Sequence, residues 1–484
     1  MTELAMDVSL QGAFAPIHTE VAATDLQVIG KVPADLNGMY VRNGPSPRFQ
    51  PEGRYHWFDG DGMLSAIRFD DGRASFRNRW VQTDGLKEEL AAGRPLWRGL
   101  KEKVRVDRPD APLKNSSNTD VKFHAGRLLS MWYRGGDVYQ CDPSSLETLG
   151  KLGPDPRLAG LPISAHSRVD ERTDEYLFFA YGNEAPYMHY GVIGKTGAVE
   201  TFVPVRLPGP RLPHDMAITE NYSILHDFPL FNEPAALAAG RYKLQFDRER
   251  ATRFGVIPRH GKEHDIRWFE ASPRYMLHVV NAWEEGDEIV MLGTPYSIPR
   301  RFDGSHDYEA YGRGISINVT DFEFYQWRLN LKTGTVTEQI IDDVYNAEFP
   351  TINASRQGLP SRYSYHILMG RMHRPEDPRF AGMVKFDNQT GGGVSYCPGN
   401  NVWFSEAPFA PRDGAGDEDD GYLVSFAWNA ADARSEVWVF DAKEITRGPV
   451  CRVILPQRVP NGFHGTWVPA SKLTAAAQAP VGRA

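Results

Sequence analysis

Fourteen histidines are spread along the 484 residues, and four stand where a solvated imidazole would be out of place. His166 lies in PISAHSRVD, His214 in LPHDMAITENYSIL, His278 in YMLHVVNAWEEG and His464 in NGFHGTW. Each sits at the edge of a strand-like run, among small or apolar neighbours. There is no HxxxH or HExxH pair, so no single helix assembles a metal site. The four are separated by 48, 64 and 186 residues, and the last interval is three times 62. One histidine per repeat of a regular β architecture would give such spacing. Imidazoles gathered in this way need a cation to justify their burial, and an all-nitrogen donor set suits iron, copper or zinc better than calcium or magnesium. Scattered core histidines are the alternative reading of the same residues.

Metal-bound imidazoles usually donate their second N–H to a carboxylate or carbonyl. Glu348 in AEFPTIN and Glu406 in WFSEAPF occupy strongly apolar stretches, where a carboxylate is costly without a partner. An ordinary salt bridge would also satisfy them.

The elements that must position these groups are short strands. Gly (45) and Pro (35) are too frequent for a mainly helical chain. YLFFAY (176–181), YLVSFAW (422–428) and VWVF (437–440) have strand length, and Asp-Gly and Asn-Gly pairs recur as hairpin turns. A unit of strand, polar link and glycine turn ends at Gly150, Gly197, Gly334, Gly391 and Gly448. A period of that order built from short strands is what a β-propeller blade requires. Thr83–Ala92 and Glu233–Gly240 are the best helix candidates, 470–484 reads as a loose tail, and no linker divides the chain.

With 41% apolar residues the chain can fill a large core, and a net charge of −8 without a basic tract argues against nucleic acid as a partner. Three isolated cysteines form no disulfide or zinc framework and fit a reducing compartment. No secretory signal or spanning segment is evident, so a cytoplasmic location is expected.

From about Leu26 to Trp467 the sequence resembles the carotenoid cleavage oxygenase family, which includes apocarotenoid- and stilbene-cleaving enzymes. The resemblance rests on LNGMYVRNGPSP (36–47), HWFDGDGM (56–63), NTDVKFHAGRLL (118–129), AHSRVD (165–170), HDMAITENYSI (214–224), HVVNAWEEG (278–286), EFPTIN (348–353), SEAPF (405–409) and GFHGTW (462–467). It implies an all-β, seven-bladed propeller as one domain over 1–484, core 26–467, with a few helices and loops capping the iron-containing face. It also implies one Fe(II) per chain held by His166, His214, His278 and His464, with O2 as co-substrate. By motif Glu348 orients His278 and Glu406 orients His464, while Thr119 stands near the iron. The family's third glutamate has no counterpart. Anchoring from His124 puts Tyr133 in its place, and anchoring from Asp142 puts Arg134 there.

The expected reaction is oxidative cleavage of a C=C bond into two carbonyl products. A carotenoid or apocarotenoid is favoured over a stilbenoid or propenylphenol, because the Tyr and Lys with which the stilbene-cleaving branch holds a phenol are not evident; Lys101 and Tyr133 are the nearest substitutes. Phe58, Trp132, Tyr133 and Trp283 are candidate substrate-binding residues, since aromatic walls suit a conjugated chain. An inactive propeller serving only as a binding protein is a further alternative. The apolar segment 228–237 (FPLFNEPAAL) is a candidate peripheral membrane contact.

Overall fold

The computed structural model describes residues 7–104, 107, 112–317, 321–370, 380–399 and 401–478. Each repeated glycine-turn unit is a hairpin between the third and fourth strands of an antiparallel sheet. The five hairpins join Tyr139–Cys141 to Thr148–Lys151, Tyr187–Ile193 to Val199–Arg206, Phe324–Asn330 to Val336–Asp342, Phe380–Asp387 to Gly392–Tyr396, and Arg434–Asp441 to Pro449–Ile454. Gly197, Gly334, Gly391 and Gly448 have φ of +82°, +78°, +72° and +82°, which L side chains adopt at a cost. The sequence repeat therefore marks a recurring hairpin, although Gly150 lies within its strand, Thr148–Lys151, and not in the turn.

Seven antiparallel sheets of four or more strands are present among the described residues. They are the blades the resemblance implies. Three belong to a compact unit formed by Met1–Leu161 and Pro398–Ala484, and four belong to a second unit, Pro162–Cys397. In the first unit the C-terminal strand Gly465–Pro469 pairs with Gly38–Arg42, and Val28–Gly30 pairs with Pro449–Ile454. Both ends of the chain are thus fastened into sheets by long-range ladders. The core of this unit gathers Tyr40, Ile67, Phe69, Val424 and Val437. In the second unit some strands are buried on both faces, as in Glu175–Tyr181, and Phe254, Phe269, Met291 and Trp327 fill the space between sheets.

Three expectations need adjustment. The tail 470–484 is not loose where it is described: Ala470–Gln478 is an α-helix, and Leu473 is buried with Val121, Leu128 and Val468. Its alanines favour helix and allow close packing, with Ala476 facing Gly126. Residues 479–484 lie outside the described residues. A helix at Tyr308–Ile317 escaped prediction because two glycines interrupt it; tertiary contacts hold it, with Tyr275 N–H donating to the buried Tyr311 hydroxyl at 2.7 Å. Within 228–237, Phe228 and Leu230 are core residues, whereas Pro234 and Ala235 are exposed. No helix among the described residues is long and apolar enough to cross a membrane.

Gly465 marks the tightest part of the chain closure. A Cβ there would lie 2.5 Å from both Tyr40 Cε2 and the Val41 carbonyl oxygen. Gly465→Ala should cost about 1–3 kcal/mol. A lower urea midpoint checks this, and an unchanged midpoint would show that the closure tolerates the methyl.

Candidate metal centre

His166, His214 and His278 are buried together in the second unit, each offering one ring nitrogen within 4.8 Å of the others. Ring centroids are 4.5 Å apart for His166 and His214, 4.8 Å for His166 and His278, and 5.1 Å for His214 and His278. His166 and His214 immediately precede the first strands of their sheets, Arg168–Asp170 and Ala217–Ile218. His166 has φ +63°, an uncommon conformation for a residue with a side chain, and the adjacent Ser167 Oγ donates to the Ser164 carbonyl at 3.1 Å. His278 lies within the strand Met276–Glu285, where the register shifts across it, between Met276 and Val279, and again between Val279 and Asn281. Those irregularities redirect a side chain that a regular ladder would send elsewhere. Three adjacent imidazoles cannot all be cationic in a buried site. As neutral rings they form a nitrogen donor set that could hold a metal ion.

Glu348 orients His278. Its Oε2 accepts from His278 Nδ1 at 2.5 Å and from the Phe349 amide, and its Oε1 accepts from Thr294 Oγ1 at 2.7 Å. Thr294 Oγ1 also lies 3.2 Å from the His278 carbonyl. Burial pushes the Glu348 carboxyl up, but facing His278 and accepting these bonds outweigh it, so the carboxyl stays below its ordinary value. The ionised carboxylate fixes the tautomer: with Nδ1 donating, Nε2 is the lone-pair nitrogen.

The first unit carries a parallel arrangement. Glu406 accepts from His464 Nδ1 at 2.9 Å and from the Gly465 amide at 2.7 Å. The backbone around His464 is held by its neighbours: Asn43 N–H donates to the His464 carbonyl at 2.8 Å, and His464 N–H donates to the Thr119 carbonyl at 3.1 Å. Asn43 itself donates to Ser117, Asp120 and Ser130. Buried Arg42 binds Ser405 and the Pro460 carbonyl, and Tyr40 donates to the Glu406 carbonyl at 2.9 Å. Four separated sequence motifs thus meet around one histidine.

Beside His464 the side chains are aromatic. Phe58 packs edge-on against Tyr133 and Phe463, each with ring centroids 4.9 Å away, and Trp132 lies 6.3 Å from Tyr133. The Tyr133 amide donates to Thr119 Oγ1 at 3.1 Å. Phe58 and Trp132 also line a cleft with Trp97, Leu100 and Tyr55. At its floor Asp59 accepts from the Leu100 and His56 amides, each at 2.9 Å; burial nonetheless pushes its carboxyl up to about 6. Lys114 bridges Asp61 at 2.6 Å and Glu89 at 2.7 Å, and these carboxylates hold its ammonium above the ordinary value against the pull of burial.

Over residues 14–469 the chain matches the family model described as RPE65, retinal pigment epithelial membrane protein. It is 36% identical over 502 residues to the carotenoid 9,10(9',10')-cleavage dioxygenase of Crocus sativus, covering 96% of this chain and 89% of that protein. The chain belongs to the carotenoid cleavage oxygenase family. It is also 30% identical to the isoeugenol monooxygenase of Pseudomonas nitroreducens, over 96% of this chain and 98% of that one. The crystal structure of the Pseudomonas brassicacearum lignostilbene dioxygenase superposes with a TM-score of 0.85 at 26% identity, covering 97% of this chain and all of that one. The fold is accordingly a seven-bladed β-propeller, and the protein is an oxygenase of the carotenoid-cleavage dioxygenase type.

Placed in this oxygenase, the expected site residues divide unevenly. His166, His214 and His278 come together, and both glutamates orient the histidines expected of them. Asp120–His124 pairs in regular register with Arg127–Met131, and Tyr133 and Arg134, the two residues counted into the third glutamate's place, follow that hairpin. Phe58, Trp132 and Tyr133 cluster, but Trp283 packs on the apolar core around Val280, Leu292 and Phe324. Lys101 pairs with Asp7 at 3.4 Å near the surface. Phe463 was not singled out, although its place beside His464 in GFHGTW was the available signal.

Two predictions follow from this geometry. Glu348→Gln should weaken divalent-metal affinity roughly 10- to 100-fold, the usual effect of losing a partner of a metal-bound imidazole; cobalt titration of metal-free protein measures it, and wild-type affinity would remove Glu348 from the centre. A carboxyl raised to about 6 at Asp59 favours folding most below pH 4, and that contribution is lost as the pH rises through 6. The stability of wild type relative to Asp59→Asn should therefore fall by on the order of 2–3 kcal/mol between those limits. Thermal melting across this range tests the sign, and a pH-independent gap would show that Asp59 does not titrate there.

Proposed function

We propose that this oxygenase binds one Fe(II) per chain through His166, His214, His278 and His464 and cleaves a C=C bond of an apocarotenoid or carotenoid with O2, giving two carbonyl products. The observation that carries the reading is the buried cluster of three imidazoles, one oriented by an ionised glutamate. His464 is included because Glu406 orients it as Glu348 orients His278. When bound, iron supplies the one-electron chemistry that lets triplet O2 react with a closed-shell alkene. The remaining work falls to the chain. Glu348 and Glu406 hold the Nδ1 protons of their imidazoles, which leaves Nε2 as the donor atom. The Thr119 and Asn43 backbones fix His464. Phe58, Tyr133 and Phe463 offer an apolar aromatic wall on which a conjugated chain can be aligned, and such a wall keeps water from the reacting bond.

The relatives named isoeugenol monooxygenase and lignostilbene dioxygenase support a second reading, a phenolic alkene as substrate. A phenol gains reactivity when a nearby base takes its proton. Here Lys101 pairs with Asp7 and Lys114 is held between two carboxylates, which supports the polyene instead. Collection of so apolar a substrate at a membrane surface would involve the exposed Pro234 and Ala235 of 228–237, and not the buried Phe228.

Aerobic incubation of Fe(II)-loaded protein with carotenoids, apocarotenals, hydroxystilbenes and propenylphenols, with products identified by mass, separates these readings. Cleavage of a polyene at one preferred bond, with little dependence on a 4-hydroxyl, is expected. Brisk turnover of phenolic alkenes alone would transfer the protein to the second reading. Iron binding without oxygen consumption on any substrate would make it a carrier. His166→Ala, His214→Ala, His278→Ala and His464→Ala should each lose iron or activity, and full retention of both in any of them would strike that residue from the ligand set.

A further inference from the structure

Each of the three clustered histidines has a close sequence neighbour in one buried polar knot. Arg168 is two residues beyond His166, Asp215 follows His214, and Val279 follows His278. The Arg168 guanidinium donates from one terminal nitrogen to Asp215 Oδ2 at 2.5 Å and to the Val279 carbonyl at 3.4 Å, and its Nε donates to the Met216 carbonyl at 2.9 Å. Asp215 Oδ2 also accepts from the Val279 amide at 2.8 Å, and Oδ1 accepts from the Met216 amide at 2.7 Å. The Asp215 side chain is 1% exposed and that of Arg168 14%. All three histidine-bearing segments are therefore tied to one ion pair, within two residues of each ring.

A buried ion pair is a weak source of stability, because desolvation consumes most of the Coulomb gain, so a geometric role is a better reason for this one. Arginine suits that role. Its planar fork meets several acceptors in fixed directions, which a lysine cannot do. The demand for geometry is also visible. His166 is held at φ +63°, and the His278 strand departs from regular register across His278 and again after Val279, so neither segment is set by secondary structure alone.

We propose that the Arg168–Asp215 pair is the positioning device that sets the His166, His214 and His278 segments against one another at the spacing a metal ion requires. The inference rests on the metal-centre reading above. Arg168 and Asp215 are positioning residues that act through the backbone of the neighbouring histidine segments.

The test uses the full chain, freed of metal, with Co(II) as the probe. Affinity is measured by calorimetry, coordination by the visible d–d absorption bands, and fold integrity by melting of the metal-free protein. Arg168→Met, Arg168→Lys and Asp215→Asn are compared with Arg259→Met. Arg259 is a fitting control because it joins two of the same three sheets through Asp170 at 2.7 Å, Glu175 at 2.9 Å and the Thr219 carbonyl at 3.0 Å, farther along the chain from the histidines. Arg168→Met and Asp215→Asn should weaken Co(II) roughly 10- to 100-fold and alter the bands, as loss of an outer partner of a metal site does. Arg259→Met should lower the melting temperature but keep wild-type affinity and spectrum. Arg168→Lys retains the charge but not the fork, so it should fold and still bind Co(II) more weakly than wild type. If Arg168→Met fails to fold, Arg168→Lys decides. Wild-type Co(II) affinity and spectrum in folded Arg168 and Asp215 variants would overturn the proposal and leave the pair an ordinary fastening between sheets. Absence of Co(II) binding by the wild-type protein would instead refute the metal-centre reading, and this inference with it.

Discussion

Three imidazoles buried with their nitrogens within 4.8 Å of one another set the terms for the rest of this protein. Neutral lone pairs facing one another have no use in a core unless a cation lies among them, and holding them there takes rigid supports. Strands that begin at or near the ligand provide these supports, since a strand buried on both faces has little freedom. Each imidazole is carried at the start of a different sheet, so the cluster exists only when three sheets are assembled. Local propensity cannot make such a site, and no single helix or hairpin of this chain contains it.

Two carboxylates are committed to histidines in this protein. Glu348 is wholly occupied by His278, Thr294 and the Phe349 amide, and Glu406 by His464 and the Gly465 amide. Both are therefore fixed hydrogen-bond acceptors rather than ligands held in reserve. The same economy governs the cleft, where Lys114 is neutralised by two carboxylates and the walls are aromatic. A cleft with paired charges and aromatic faces offers surface to stack on and few unpaired polar groups to desolvate.

The closure of the chain fixes His464 within the first unit. Gly465–Pro469 pairs with Gly38–Arg42, and that pairing places His464 against Asn43 and Thr119. The RNG of residues 42–44 and the GFHG of 462–465 approach so closely that glycine is required at the contact. Motifs more than four hundred residues apart thus share one packing problem, and sequence alone shows only that both are glycine-rich.

Residue type and spacing were enough to single out the four histidines, the two glutamates and the strand repeat, because burying an imidazole or a carboxylate among apolar residues is costly wherever it occurs. The repeat was legible because its turns need positive φ, which favours glycine at Gly197, Gly334, Gly391 and Gly448. Other features depended on contacts between distant segments. Ala470–Gln478 became a docked helix because Leu473 has a cavity to fill, and Tyr308–Ile317 formed despite its glycines because Tyr311 is bonded to Tyr275. Trp283 and Phe463 are both aromatic and both lie near a histidine in sequence, yet one joined a core between sheets and the other the wall beside His464. Sequence determines which side chains are too costly to bury alone; tertiary structure decides which partner each receives, because the partner comes from another sheet.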